Sequence, residues 1–240
     1  MKKSFSFIAL ALIISFSILI NGCTKKDEPK TEVKKTDTTL TEKKESPGKD
    51  FDKKTETSEA VKKIIDAGLQ KSKAKDYKGA IDEFTKAIQS DPKNPDAYLY
   101  RATAYTELKK NKEALQDYNK AIELKPKDYE ALTGRGICFY DMKKYDEAIS
   151  DYNTAVEINP KSEKSYLNRG NCFLKKKDYD KAIADYTKVI EIDPSNIDAF
   201  VNRGDCNYKA KKKDDACKDW NKAKDLGDAG AEKLVKRFCK

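Results

Sequence analysis

The stretch EKSYLNRGNCFLKKKDYDKAIADYTKVIEIDPSN, Glu163–Asn196, decides the fold of this 240-residue chain. Its pattern recurs along the sequence, and the prolines near the end of four copies, Pro92, Pro126, Pro160 and Pro194, stand 34 residues apart. Self-similarity at a fixed period of this length indicates one supersecondary unit that is copied and stacked. With proline at unit position 32, the five units span 61–94, 95–128, 129–162, 163–196 and 197–230.

Small and aromatic residues recur at fixed positions of these units. Position 20 is alanine in every unit. Position 8 holds Gly68, Ala102, Gly136, Gly170 and Gly204, and position 24 holds Phe84, Tyr118, Tyr152, Tyr186 and Trp220. Small residues let two helices approach closely, while a ring fills the space between them. Each unit is therefore predicted to be a helical hairpin, in which a helix A is followed by a helix B.

The full set of offsets resembles the tetratricopeptide repeat (TPR). The likeness is strongest to the subgroup with Asn-Arg-Gly at positions 6 to 8, as in 168–170 and 202–204. Two departures fall in the terminal units, with Lys71 at the aromatic position 11 and Asp228 at the proline position. Irregular terminal units are normal in solenoids. The resemblance implies an all-α, right-handed solenoid of five TPR hairpins over residues 60–230.

A short amphipathic segment follows the last unit. Ala231, Leu234, Val235 and Phe238 share one face at helical spacing, after the break at 226–228. We expect a C-terminal capping helix over 231–240, with its charged residues toward water. Such a cap prevents end-to-end stacking of the array, so we expect a monomer.

The first 22 residues form a predicted signal peptide. Lys2 and Lys3 precede an apolar run that ends at Gly22-Cys23. This segment resembles the lipobox of bacterial lipoproteins, although Asn21 replaces the usual Ala or Ser. The resemblance implies that Cys23 is the lipidation site, carrying acyl chains such as palmitate. An uncleaved membrane anchor is the alternative, and either interpretation places the repeats outside the cytoplasm, in the outer membrane or periplasm.

Residues 23–59 are predicted to be a disordered tether. Beyond Cys23 this stretch carries ten basic and ten acidic residues and almost nothing apolar, so it cannot bury a core. The net charge of the whole chain, +9, therefore belongs mainly to the repeats. Much of it lies in the turns between helices A and B, as at Lys109-Lys110 and Lys143-Lys144. These turns predict a lysine-rich edge, which is either a solvated surface or a contact for anionic lipid or polymer.

The composition argues against an enzyme. The chain has no histidine, which excludes histidine-based nucleophilic and acid–base catalysis and histidine-ligated metal centres. It also has no glycine-rich phosphate loop. We therefore expect no catalytic residues, no metal and no cofactor, and the export signal disfavours a nucleic-acid partner.

Two repeated polar patterns predict structural contacts. Arginine occupies position 7 and aspartate position 23 in units 2 to 5, which predicts four Arg–Asp pairs. Whether each pair lies within one unit or joins two neighbours is left open by the sequence. Cys138, Cys172 and Cys206 share position 10 and should behave as small apolar residues. Cys217 and Cys239 are a disulfide candidate, with a buried free Cys217 as the alternative.

The functional surface implied by the TPR resemblance is a concave groove, lined by helix A positions 2, 5, 6, 9, 12 and 13. Apolar, aromatic and amide side chains there suit an extended or helical segment of a partner protein. The predicted groove residues are Leu99, Tyr100, Tyr140, Leu167, Asn168, Asn171, Leu174, Asn202 and Tyr208. The alternative is that the leucines and tyrosines merely complete packing. Lysine is missing from position 5, which argues against the carboxylate clamp of chaperone-binding relatives.

These features together predict a membrane-anchored interaction scaffold or assembly factor of the cell envelope. The alternative function is an envelope-structural or adhesive lipoprotein that binds anionic lipid, polymer or host molecules through its lysine-rich edge.

Overall fold

A computed structural model describes the backbone of residues 48–240 and the side chains of residues 58–240. The predicted signal peptide, Cys23 and most of the predicted tether lie outside these residues. The described part is built from helices, in the order α1 (Gly48–Lys73), α2 (Tyr77–Ser90), α3 (Pro95–Glu107), α4 (Asn111–Leu124), α5 (Tyr129–Asp141), α6 (Tyr145–Ile158), α7 (Glu163–Lys175), α8 (Tyr179–Ile192), α9 (Ile197–Lys209), α10 (Lys213–Asp225) and α11 (Ala229–Phe238).

Successive helices pack as antiparallel pairs, and each pair packs against the next. The odd-numbered helices α1 to α9 are the A helices of the five units, the even-numbered helices α2 to α10 are the B helices, and α11 follows as the cap. Neighbouring A helices also touch, α3 against α5 and α5 against α7. The predicted solenoid of five TPR hairpins with a capping helix is confirmed.

The A helices begin where the sequence provides a side-chain cap. Asn94, Asp128, Ser162 and Asn196 each accept a hydrogen bond from the backbone N–H three residues later. Two residues after each A helix ends, a lysine has positive φ, and these lysines are Lys75, Lys109, Lys143, Lys177 and Lys211, at φ of 57–62°. Glycine or asparagine adopts this left-handed conformation at lower cost. The chain therefore accepts strain in order to place lysine at each of these turns.

Helix α1 is longer than the sequence predicts. It begins at Gly48, so residues 48–59 are helical, whereas we assigned them to the disordered tether. The physical reason is that no proline or glycine follows Gly48 until Gly68, and Asp, Lys, Glu and Thr there do not stop a helix that unit 1 already nucleates. The tether prediction for residues 23–47 lies outside the described residues.

The core of each hairpin is the ring at position 24 packed on the small residue at position 8. A Cβ atom built on Gly136 would lie 2.6 Å from Tyr152 Cε1, and one built on Gly170 would lie 2.8 Å from Tyr186 Cε1. Real Cβ atoms do not approach so closely, so alanine at either position would displace the ring. In units 1, 3, 4 and 5, where position 8 is glycine, the placement of the ring between helices A and B therefore depends on that glycine.

The four predicted Arg–Asp pairs lie within units. Each arginine donates through Nε and Nη2 to both carboxylate oxygens of its aspartate, as in Arg135–Asp151 at 2.8 and 2.7 Å. The third nitrogen, Nη1, reaches position 25 of the preceding unit, as from Arg135 to Asn119 Oδ1 at 2.8 Å. The other arginines repeat this arrangement with Thr85, Asn153 and Thr187. The guanidinium therefore ties helix A to helix B and to the previous hairpin at once.

The cap closes the last hairpin. Ala231 is fully buried, Phe238 packs 4.8 Å from Tyr208 and 5.9 Å from Trp220 between ring centroids, and Lys233, Lys236 and Arg237 are exposed. The structure joins Cys217 of α10 to Cys239, whose Cα atoms are 5.6 Å apart. Cys138, Cys172 and Cys206 are free and buried, and burial raises the pKa of Cys172 to about 12 and of Cys206 to about 11. These three thiols stay protonated and act as packing groups.

Replacing Cys217 and Cys239 together with serine should lower the free energy of unfolding by roughly 3 kcal/mol, because the bond spans 22 residues and restricts the unfolded chain. Urea denaturation of the oxidised chain and the double variant measures this difference. Reductant should destabilise the wild type and leave the double variant unchanged. If both thiols alkylate in the denatured, unreduced chain, the bond does not form.

The rings at position 24 of units 2 to 5 carry a polar group, the tyrosine hydroxyl or the tryptophan N–H, and these groups differ in their hydrogen bonds. The difference arises because the partner is the side chain at position 9 of the same unit. Tyr186 Oη donates to Asn171 Oδ1 at 2.7 Å, and Trp220 Nε1 donates to Asp205 at 3.2 Å. In unit 3, position 9 is Ile137, and the buried Tyr152 Oη has no hydrogen-bond partner among the described residues. A buried hydroxyl without a partner costs free energy on folding.

We expect Tyr152→Phe to raise the free energy of unfolding by about 1 kcal/mol, because it removes the unpaired hydroxyl and keeps the ring. Tyr186→Phe is the matched control, and it should lower the free energy of unfolding by about 1 kcal/mol because Asn171 loses its donor. Urea titration of both variants tests this contrast. Equal destabilisation by the two substitutions would show that Tyr152 Oη is bonded.

Candidate functional site: a hydroxyl-lined cavity on the A-helix face

A cavity of about 590 Å³ opens on the A-helix face of units 2 to 4. We call it the unit 2–3 cavity, since most of its wall comes from α3 and α5, with the start of α7 at one end. It is lined by Leu99, Tyr100, Thr103, Thr106, Glu107, Lys109, Tyr118, Tyr129, Glu130, Thr133, Gly134, Ile137, Asn159, Lys161, Ser162, Glu163 and Lys164. Its α3 and α5 residues fall on helix A positions 2, 5, 6, 9, 12 and 13, with Tyr129 at position 1.

The cavity exists because unit 3 departs from its neighbours at two adjacent positions. Positions 5 and 6 hold Leu99-Tyr100 in unit 2 and Leu167-Asn168 in unit 4, but Thr133-Gly134 in unit 3. The apolar stripe is therefore interrupted by a hydroxyl, and the neighbouring side chain is missing. Glycine within a helix costs up to about 1 kcal/mol relative to alanine.

Tyr118 explains why position 134 must be glycine. A Cβ atom on Gly134 would lie 2.4 Å from Tyr118 Cζ and 2.5 Å from Tyr118 Oη. In unit 2 the small residue at position 8 is Ala102, whose methyl group replaces the space that glycine leaves for the ring in the other units. The end of the Tyr118 ring lies between Thr103 of α3 and Gly134 of α5, and its hydroxyl is part of the cavity wall.

The cavity's hydroxyl groups present acceptors. The hydroxyl hydrogens of Thr103, Thr106 and Thr133 are donated to the carbonyl oxygens four residues earlier, at 2.9, 3.0 and 2.7 Å. Tyr118 Oη lies 3.3 Å from Thr103 Oγ1 and 3.4 Å from Thr106 Oγ1. Burial raises the pKa of Tyr118, so this phenol stays protonated, and its single hydrogen lies within reach of both threonine oxygens. Thr103 and Thr106 keep lone pairs for a guest, whereas Thr133 Oγ1 is buried and lies 2.7 Å from Ser165 Oγ.

Charged groups divide the cavity into two ends. Glu107 of α3 and Glu130 of α5 are exposed carboxylates on the acceptor-rich side, and Tyr129 Oη donates to Glu130 Oε1 at 3.4 Å. Lys109 is held by Asp141, at 3.1 Å from Nζ to Oδ2. The other lysines, Lys161 and Lys164, stand at the α7 end and are exposed. The α3–α5 side is thus rich in acceptors, and the α7 end carries two lysines together with the carboxylate of Glu163.

Two of the predicted groove residues line this cavity, Leu99 and Tyr100. Leu99 is 5% exposed and belongs to the core around Tyr118, so most of its side chain is used in packing. Tyr100 is half-buried and packs 5.8 Å from the ring of Phe84. Both therefore form the wall of the cavity and part of the hydrophobic core.

The other predicted apolar groove residues lie elsewhere on the A helices and are partly packed. Tyr140 contacts Tyr145 edge-on, with ring centroids 5.5 Å apart, and burial raises its pKa. Leu167 and Leu174 pack on the core of unit 4. Tyr208 is 41% exposed and lies against Phe238 of the cap. Truncating Tyr140 will therefore affect stability as well as the surface.

The predicted groove amides are half-buried and differ in their engagement. Asn171 Oδ1 accepts from Tyr186 Oη and lies 3.5 Å from Asn202 Nδ2, so this amide supports the hairpin core. Asn168 Nδ2 donates to the backbone oxygen of Lys164 at 2.8 Å, and its carbonyl oxygen remains available. Asn168 is the groove amide best suited to meet a partner.

The groove residues predicted from the sequence do not include the hydroxyl and acidic members of the cavity. They are apolar, aromatic and amide residues, whereas Thr103, Thr106 and Thr133 stand at the same positions with side chains that are common on solvated helices. The signal that points to them is Gly134, a glycine at position 6 where the neighbouring units carry large side chains.

Two further features of the described residues bear on function. None of the helices between residues 48 and 240 is long and apolar enough to cross a membrane. The same part of the chain contains no cluster of cysteines and carboxylates that could hold a metal ion.

Comparison with known proteins places the repeats in a family. Residues 95–128, 129–162 and 163–196 each match the family model of the tetratricopeptide repeat. No curated protein matches the chain in sequence.

Solved TPR structures share the fold. MamA is 26% identical with a TM-score of 0.62, over 70% of this chain and 96% of MamA. YrrB, described as a TPR protein with an unusual peptide-binding site, is 21% identical with a TM-score of 0.62, over 75% of this chain and 97% of YrrB. PilW, a widely conserved type IV pilus biogenesis factor, is 23% identical with a TM-score of 0.65, over 70% of this chain and 77% of PilW. Residues 95–196 are thus three tetratricopeptide repeats at the centre of a TPR solenoid.

Proposed function

We propose that this protein is a membrane-anchored scaffold or assembly factor of the bacterial cell envelope, whose A-helix face binds an extended or helical segment of a partner protein. The observation that carries the proposal is the unit 2–3 cavity, because it is a concave site with apolar walls and a few oriented polar groups. Cavities of this size and character are typical binding sites. The peptide-binding site described for YrrB and the role in pilus biogenesis described for PilW are compatible with this function.

A scaffold needs no catalytic groups, and few side chains of this chain are suited to catalysis. It has no histidine, and its buried carboxylates at Asp117, Asp151, Asp185 and Asp219 are occupied by arginines. The cysteines of the A helices are buried thiols whose pKa is raised by burial, which makes them poor nucleophiles. These features favour binding over catalysis.

The anchor is proposed to be an acylated Cys23, on the strength of the apolar run that ends at Gly22-Cys23. Multiple acyl chains at about 0.8 kcal/mol per buried methylene hold a protein on a membrane for long periods. The repeats would then lie on the non-cytoplasmic side, in the outer membrane or periplasm.

Changing Cys23→Ala should give a precursor that keeps its first 22 residues and no longer incorporates labelled palmitate. Metabolic labelling followed by mass spectrometry of the N-terminus measures both properties. Cys206→Ala is the matched control, since this buried thiol cannot be acylated in the folded chain. Labelling that persists in the Cys23→Ala variant would contradict the lipoprotein assignment.

Binding through the A-helix face is tested by crosslinking in the native cell. A photoreactive amino acid at Asn168 should capture a discrete partner band, because this residue is exposed to the groove and spared by the core. The control is the same group at Glu123, an exposed residue of the B helix α4. For a captured and purified partner, Asn168→Ala should weaken binding by about 1–2 kcal/mol and leave the melting temperature nearly unchanged.

The competing function is contact of the lysine-rich edge with anionic lipid or polymer. The five lysines that accept a left-handed backbone conformation are the observation in its favour, because glycine would be cheaper there if charge were irrelevant. In that case the captured partner would be released by salt and by replacing Lys143 and Lys177 with Gln, and Asn168→Ala would have no effect. That outcome would contradict groove binding.

A further inference from the structure

We infer that the unit 2–3 cavity selects a cationic side chain, arginine or lysine, in the partner segment. The inference rests on the proposed function, to which it adds the chemistry of one residue of the partner.

The threonine hydroxyl groups of the cavity direct their hydrogens toward the protein. Thr103 and Thr106 donate their hydroxyl hydrogens to backbone carbonyls of their own helix, and Thr133 Oγ1 lies within hydrogen-bond distance of both Tyr129 O and Ser165 Oγ. The α3–α5 side of the cavity therefore presents lone pairs of the threonines beside two carboxylates, and its other donors are the Tyr100 hydroxyl and Lys109. A guest must bring N–H groups, and guanidinium and ammonium carry five and three of them without any acceptor.

The α3–α5 side of the cavity also carries two negatively charged side chains. Glu107 and Glu130 come from adjacent A helices and line the cavity next to the threonines. Lys109, the lysine of this side, is already paired with Asp141. Lys161 and Lys164 stand at the α7 end, where they suit the carbonyl or carboxylate groups of the same segment. The carboxylates are therefore available to a cation, and charge-assisted hydrogen bonds are the stronger kind.

The wall of the cavity is apolar and aromatic. Leu99 and Ile137 supply apolar surface, and the rings of Tyr100, Tyr118 and Tyr129 stand around it. Such walls bury the methylene stem of arginine or lysine while the charged head reaches the oxygens. Aromatic faces also attract a cation. An acidic guest would meet the two carboxylates of Glu107 and Glu130 at the α3–α5 side.

The cavity belongs to one register of the solenoid. Units 4 and 5 hold Leu167-Asn168 and Val201-Asn202 where unit 3 holds Thr133-Gly134, so a side chain fills position 6 there. A partner that is recognised here must place its basic residue opposite unit 3. The cavity therefore also fixes how the segment is aligned along the array.

The probe is a display library of random peptides of about a dozen residues, selected on the purified full chain in detergent. We expect the selected peptides to share one arginine or lysine at a fixed position. Replacing that arginine with citrulline, or that lysine with norleucine, should weaken binding at least about tenfold by calorimetry, because charged hydrogen bonds are lost.

The variants test the same contacts from the side of the protein. Glu107→Gln with Glu130→Gln should weaken the selected peptide at least about tenfold, while Glu113→Gln with Glu157→Gln, the same charge change on B helices, should leave its affinity within about twofold. On the Glu107→Gln, Glu130→Gln variant, the citrulline or norleucine substitution in the peptide should weaken binding little further. Both changes remove the same interaction, between the basic side chain and the carboxylates, so their effects should not add. A second variant combines Ala102→Gly with Gly134→Asn, which gives glycine at position 8 and asparagine at position 6, the residues that unit 4 has there. Glycine at 102 leaves room for the Tyr118 ring, and asparagine at 134 should fill the cavity and prevent the peptide from binding.

Selected peptides without a shared basic residue, or an uncharged peptide that binds as well as the original, would overturn the inference. The proposed function would survive either result, because a peptide is still bound. A library that yields no binder to the wild-type chain would overturn segment binding itself, and the two failures are thereby distinguished.

Discussion

The packing of an aromatic ring at position 24 on a residue without a side chain at position 8 is the contact on which the solenoid depends. It brings helix A within van der Waals distance of helix B, and the positions of all other side chains follow from that approach. The rings of Phe84, Tyr152, Tyr186 and Trp220 meet glycine in this way. Where glycine is replaced by Ala102, the ring of Tyr118 packs against the next A helix, and Gly134 receives it. The local repair of one packing problem thus creates the cavity that we propose as a binding site.

The arginine at position 7 gives the hairpins a common orientation. Its bidentate bond to aspartate holds helix B of its own unit, while its remaining nitrogen reaches an amide or hydroxyl on the preceding helix B. A planar guanidinium satisfies these bonds in one geometry only, which lysine cannot do. Unit 1 is the first hairpin of the described residues and has Ala67 in place of the arginine, and it uses Lys71 and Glu83 for a simpler pair at 2.7 Å. The rigid face that results is what makes a small cavity useful, because preorganised groups cost little to align with a guest.

The two ends of the array are treated differently by the chain. The C-terminal end is covered by α11 and joined by Cys217 and Cys239, so its apolar surface is removed from water. At the N-terminal end, α1 continues beyond unit 1 toward the segment that we propose leads to the anchor.

The sequence by itself determined the hairpins, their number, the caps and the arginine–aspartate pairs, because the same residue types recur at the same positions of five units. The small residues, the rings and the helix caps interact with partners inside one unit, so their spacing along the sequence is enough to predict them. The tertiary structure alone decided that the arginines also join neighbouring units, that Tyr140 packs on Tyr145, and that Thr133 and Gly134 open a cavity beneath Tyr118. These features depend on contacts between side chains of different helices and on the direction of individual hydroxyl groups. Such contacts are set by side-chain volumes and angles in three dimensions, which a one-dimensional pattern does not contain.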